Sequence, residues 1–137
     1  MDQNQKLIPS KEFEFTMAEN QTLLIVTLSG YFCIQHLTEI QSISKKIAAY
    51  TNTKFVAIDM TKVVDVESNM IFSFAKIQKE VRDRGLQLRV FGTPQKLKRK
   101  LFERGAIREG ESSDNVAQAI KSLFKEPKPV RGDKIAA

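Results

Sequence analysis

The stretch Phe55-Val56-Ala57-Ile58-Asp59-Met60 decides the fold. It is a short, mostly apolar run set off by the turn Thr51-Asn52-Thr53, as expected of a strand buried in a sheet that helices cover. On both sides the hydrophobic period becomes helical. Upstream, from Gln35 to near Tyr50, Leu37, Ile40, Ile43 and Ile47 recur at three or four residues. Downstream, Met70, Ile71, Phe74, Ile77 and Val81 do the same until Gly85. Leu86, Leu88, Val90 and Phe91 then form another strand. Thr93-Pro94 reads as a helix start, with Thr at the N-cap and Pro at the first helical position. Leu97, Leu101 and Phe102 are expected on the buried face of that helix, and Gly105 ends it.

Further out, Glu12 to Met17 alternates polar with apolar residues, and Thr22 to Leu28 is more continuously apolar and β-branched. Joined by the polar turn Glu19-Asn20-Gln21, they predict an N-terminal hairpin. Ser29-Gly30 interrupts the strand, which Tyr31 to Ile34 briefly continues. Ser113 or Asp114 is expected to cap a last helix carrying Val116, Ile120, Leu123 and Phe124. The resulting fold class is α/β: a mixed, mostly parallel sheet with an N-terminal hairpin and helices packed on it. The domain is expected over residues 11–125, with a flexible N-terminus at 1–10 and a flexible basic tail at 126–137.

A chain of 137 residues with 42% hydrophobic and 28% charged residues fits one ordinary globular domain. No apolar run approaches the ~20 residues of a membrane-spanning helix, and the polar first residues, Met1 to Lys6, are not expected to act as a secretory signal. One cysteine, Cys33, excludes an internal disulfide. The expected location is the cytoplasm. The net charge is +6, and its placement is uneven: Lys96, Lys98, Arg99, Lys100 and Arg104 cluster, and the tail adds Lys125, Lys128, Arg131 and Lys134. The cluster reads as a solvated helix face. A nucleic-acid or anionic-membrane patch is the alternative, without the interleaved aromatics that read single strands.

Several side chains could carry chemistry. Ser68 precedes a helical stripe and reads as its N-cap, worth about 1 kcal/mol. Asp59, Asp65 and Glu67 lie near one strand end, where ligands of α/β sheets bind. They read as a solvated acidic loop, since magnesium sites usually also need substrate phosphates. Cys33 and His36 could pair as a nucleophile, but no third orienting group is identifiable, so a buried Cys and a surface His are the reading. No cofactor, metal site or Gly-rich phosphate loop is expected. Phe72 points off the helical stripe, which suits an exposed contact.

From about Thr22 to Phe124 the chain resembles the STAS domain of anti-sigma factor antagonists. The resemblance rests on the order of Leu28-Ser29-Gly30, Phe55 to Met60, Glu67-Ser68-Asn69-Met70-Ile71, Arg84-Gly85 and Thr93-Pro94. In that family the loop after the third main strand carries Asp-Ser-Ser-Gly-Leu, and its first Ser is phosphorylated by a kinase that is also an anti-sigma factor. Ungapped counting puts Glu67 on the Asp and Ser68 on the phosphorylated Ser. Asn69, Met70 and Ile71 then fall on Ser, Gly and Leu. A one-residue shift would put Glu67 on the phosphosite instead. The sequence departs from the family at Cys33, where an Asp is common, and at Met70, whose bulk could obstruct a kinase.

The resemblance implies a non-enzymatic regulatory module that docks on an anti-sigma factor/serine kinase or related regulator. Cys33, Asp65, Glu67, Ser68, Asn69, Met70 and Phe72 would form the partner surface, with Ser68 as the candidate phosphorylation site. The departures at Cys33 and Met70 keep open a non-phosphorylated STAS subunit of a scaffold or transport complex, and homo-oligomerisation also stays open.

Overall fold

A computed structural model describes residues 12–124. The expected tails, with Lys125, Lys128, Arg131 and Lys134, lie outside the described residues. The strands are β1 (Glu14–Asn20), β2 (Leu23–Phe32), β3 (Phe55–Val66), β4 (Gln87–Phe91) and β5 (Ser112–Ser113). The helices are α1 (Leu37–Ala48), α2 (Ile71–Asp83), α3 (Gln95–Glu103) and α4 (Val116–Phe124). Single 3-10 turns at Ile34–His36 and Ser68–Met70 lead into α1 and α2.

The strands lie side by side in chain order, β1 antiparallel to β2 and the rest parallel. This is the expected mixed, mostly parallel sheet with an N-terminal hairpin. Successive right-handed crossovers between neighbouring parallel strands put their helices on one face. There Ile40, Ile43 and Ile47 of α1, Phe74, Ile77 and Val81 of α2, and Leu97 and Leu101 of α3 share a core with Leu24, Val26, Leu28, Val56 and Ile58. Because side chains alternate across a strand, Leu23, Ala57 and Phe91 point the other way and meet Ala119 and Leu123 of α4. The central strands are thus buried on both faces, which is why Phe55 to Met60 shows no polar alternation.

Several expectations need correction. The third strand runs six residues past Met60, to Val66. The second continues through Ser29-Gly30 to Phe32, and two register shifts keep the pair hydrogen-bonded. Both shifts place the extra residue on β3 and reset its in-out alternation after Met60. This hides its extension from a period-two reading, whereas β2 keeps its alternation to Phe32. Gly30, at φ 85°, supplies the left-handed residue between the two shifts. The pairing of β3 with β4 ends at Asp59 and Phe91, so the ends of β2 and β3 project as a two-stranded arm.

Thr93 does not cap α3. Pro94 occupies the cap position, with extended ψ of 140°, and the Thr93 hydroxyl is buried without a hydrogen-bond partner. Phe102 is 36% exposed, and Ala106 and Ile107, beyond the Gly105 stop, fill the core in its place. Ser113 belongs to β5 instead of capping the last helix. That role falls to Asn115, whose Oδ1 accepts the Gln118 N–H at 2.9 Å, while Gln118 Oε1 accepts the Asp114 N–H at 3.2 Å.

Candidate functional site

The site lies on the arm formed by the ends of β2 and β3 and on the two turns that follow. Phe32, the last residue of β2, meets Phe13 edge-on at 4.7 Å between ring centroids and Phe74 edge-on at 5.4 Å. Such pairs add about 0.5–1.5 kcal/mol each beyond their burial, and they make a rigid floor under the turns. Met70 joins this floor. It is fully buried and packs in the same core. The expectation that Met70 contributes to a partner surface is therefore corrected: its side chain points inward and obstructs no approach to the loop.

Glu67 holds the two turns together. Its N–H donates to the Phe32 carbonyl at 2.9 Å, and its Oε1 accepts the Ile34 N–H at 3.2 Å. The Met70 N–H closes the 3-10 turn onto the Glu67 carbonyl at 2.8 Å. Glu67, not Ser68, occupies the cap position of this turn, and α2 itself starts only at Ile71. Ser68 is thus not an N-cap: it is the first residue of the turn, exposed together with Asn69, and no side chain caps the turn.

Asp65 and Lys100, placed apart in the sequence reading, meet. Lys100 Nζ donates to the Val66 carbonyl at 2.7 Å and lies 3.4 Å from Asp65 Oδ1, which also accepts the Val66 N–H at 2.8 Å. The basic cluster therefore divides. Lys100 fastens α3 to the end of β3, Lys98 is half-buried, and Lys96, Arg99 and Arg104 are exposed. The three carboxylates do not converge. Asp59 Oδ1 accepts the Thr61 N–H at 2.9 Å, while Asp65 and Glu67 are engaged as described. Among the described residues no group of three or more His, Cys, Asp or Glu side chains could hold a metal ion.

Beside Glu67 opens a cleft of about 410 Å3, lined also by Tyr31, Cys33, Ile34 and His36. The expected buried Cys and surface His are both half-buried: His36 Nδ1 lies 2.8 Å from Glu39 Oε1, and among the described residues no side-chain hydrogen bond joins Cys33 to His36. The salient feature around the cleft is exposed apolar surface. Phe72, in the first turn of α2, is 80% exposed, and Ile34 is 55% exposed. Tyr31 and Val64 on the arm are also exposed. Sequence reading picked out Phe72 and missed Tyr31, Ile34 and Val64. Their signal was present: Ile34 lies outside the α1 stripe, and Val64 lies past the apolar run of β3.

The sequence profile of the STAS domain matches residues 14–119, from the first strand into the last helix. The chain belongs to the STAS domain family. No curated protein sequence matches it. Among solved structures this STAS domain is similar to an anti-sigma factor antagonist from Mycobacterium paratuberculosis, with TM-score 0.70 at 12% identity over 82% of this chain and 95% of the other. It is similar to the anti-sigma factor antagonist SpoIIAA in its unphosphorylated form, with TM-score 0.64 at 13% identity over 84% and 100%. It is also similar to a sulfate transporter family protein from Wolinella succinogenes, with TM-score 0.65 at 17% identity over 77% and 88%. At these identities the likeness is one of fold. No helix among the described residues is long and apolar enough to cross a membrane.

Proposed function

We propose that this STAS domain is a regulatory protein-binding module of the anti-sigma factor antagonist kind, which docks its Ser68 turn and the first turn of α2 onto an anti-sigma factor/serine kinase or related regulator. The observation that carries the reading is the pairing of an exposed Ser68 with Phe72, a large aromatic left 80% exposed in the next turn. Exposed aromatics bordered by polar groups are the usual anchors of protein interfaces. Ser68 is the proposed phosphorylation site. A phosphate adds about −1.5 to −2 charges. Beside Glu67 that charge would repel the carboxylate from the Ile34 N–H and loosen the junction of the two turns. Asn69, Asp65 and the Cys33 side of the cleft complete the proposed surface, with Ile34 and Tyr31 as added apolar contacts.

The test is affinity capture from the source cell with the wild-type chain, Ser68→Ala, Ser68→Glu and Phe72→Ala, with mass spectrometry for phosphate at Ser68. The reading expects a sigma-regulatory partner that Phe72→Ala loses and Ser68→Glu weakens by about tenfold or more, the loss of roughly one charge-assisted contact. Capture of no such partner, with all variants behaving alike, would sink it. A second reading, a non-phosphorylated STAS subunit of a scaffold or transport complex, is favoured by the likeness to the sulfate transporter family protein. It expects the chain in a stable assembly with Ser68 unmodified.

A further inference from the structure

A strand at the rim of a sheet leaves a row of backbone N–H and C=O groups unpaired, and proteins blunt such edges. Two free edges of this sheet are blunted. At one rim, β5 has only two residues. Past Asp59, β3 no longer pairs with β4, but its register with β2 shifts twice there. The Asp59 and Asp65 carboxylates accept the N–H groups of Thr61 and Val66, and Lys100 donates to the Val66 carbonyl. The opposite rim, β1, has none of these devices. Its seven residues, Glu14 to Asn20, pair with β2 without a register shift and include no proline, lysine or arginine. On its helix-side face Phe15 and Met17 pack against the core yet are only half-buried.

We propose that this edge pairs with β1 of a second copy of the chain, antiparallel about a two-fold axis at Met17, so that two sheets become one. A two-fold contact must be self-complementary, and opposite residues of an antiparallel pair share a face. The register centred on Met17 is the one that pairs all seven residues of the strand. It sets Glu14 against Asn20 of the second copy, Phe15 against Glu19 and Thr16 against Ala18. No like charges then lie opposite each other, and the Asn20 amide can donate to the Glu14 carboxylate. Met17 meets Met17, and the half-buried sides of Phe15 and Met17 cover one another. A strand from another protein would need its own complement to the two glutamates, whereas a second copy already carries one. Glu14 lies at the end of the sheet where β2 and β3 lead to the Ser68 turn. Antiparallel pairing therefore leaves the two Ser68 surfaces free, toward opposite ends of the joint sheet. The proposal is independent of the reading of those surfaces.

The test is sedimentation velocity of the full chain from about 1 μM to about 300 μM, since a contact of this length is at the small end of specific interfaces and dissociates on dilution. We expect a monomer–dimer equilibrium in wild type. Thr16 and Ala18 are exposed, so charged residues there keep the fold, which circular dichroism checks. Thr16→Lys with Ala18→Lys places lysine opposite lysine and should weaken the dimer by about tenfold or more. Mixed with the Thr16→Glu, Ala18→Glu chain, it should form a heterodimer tighter than either homodimer. Cysteines read the register in chains that carry Cys33→Ser. Thr16→Cys mixed with Ala18→Cys should give an intermolecular disulfide, because opposite Cα atoms lie about 4.5–5.5 Å apart, and neither chain should do so alone. A wild type that stays monomeric throughout overturns the proposal. So does a dimer that the paired lysines leave unchanged, and so do disulfides that form equally in the unmixed chains.

Discussion

The Glu67 carboxylate accepts the Ile34 N–H at 3.2 Å, so the turn after β3 caps the turn after β2. Residues 33 positions apart in sequence are thereby made one surface. The bond belongs to an oxygen acceptor and does not depend on its charge. Glu67→Gln should therefore leave stability within about 0.5 kcal/mol of wild type, whereas Glu67→Ala should cost about 1 kcal/mol. Hydrogen exchange at the Ile34 amide is the direct measurement. It should speed up in the Ala variant and stay protected in the Gln variant, and equal exchange in both would remove the clamp.

Lys100 should behave unlike its basic neighbours. Replacing it by Ala leaves the Val66 carbonyl without its donor and frees Asp65, and should cost about 1–2 kcal/mol in chemical denaturation. Lys96→Ala and Arg99→Ala remove exposed charges and should each stay within about 0.5 kcal/mol. Equal effects from all three would mean that Lys100 does not fasten α3 to β3.

Stability should fall in acid partly through one ion pair. Arg82 Nε and Nη2 donate to the two oxygens of Glu111, each at 2.7 Å, with both side chains largely buried. Burial alone would raise the Glu111 pKa. The Arg82 hydrogen bonds, the Arg108 N–H and the charges of both arginines outweigh it and hold the carboxyl below the ordinary 4.5. A carboxyl whose pKa is lowered by folding stabilises fully above its unfolded value and loses that contribution as pH falls through the folded one. Thermal melts should therefore decline below pH 4.5. Glu111→Gln should flatten part of that decline while costing about 2 kcal/mol at neutral pH. An unchanged pH profile in the variant would be the contrary result.

Gly92 should tolerate no side chain. Its φ is 72°, and a Cβ there would lie 2.4 Å from the Thr61 hydroxyl. Gly92→Ala should destabilise by about 2–3 kcal/mol, from the left-handed backbone and the overlap together. Adding Thr61→Ala removes the overlapping atom and should recover part of the loss. A fully additive double variant would show that the two residues do not press on each other.

The order of the main elements and the sheet's composition were legible in the chain alone, because period two and period 3.6 are local properties. The sequence also singled out Phe72, whose position off the buried stripe of α2 follows from helical geometry alone. It could not place Ser68 and Glu67 correctly, because which of them takes the cap position depends on Phe32 at the end of β2 and on Ile34 in the turn after it. It put Met70 on the apolar stripe but left it between packing on the sheet and the partner surface, and it could not assign Phe102 to the surface or Glu39 to His36. It hid the β3 half of the arm, since two extra residues on that strand scramble the alternation that a strand is read from. Tertiary structure decided those points, as it decided that Lys100 belongs with Asp65 and not with the exposed basic face. Hydrogen bonds and burial between distant segments leave no period in the chain, so only the folded arrangement reveals them.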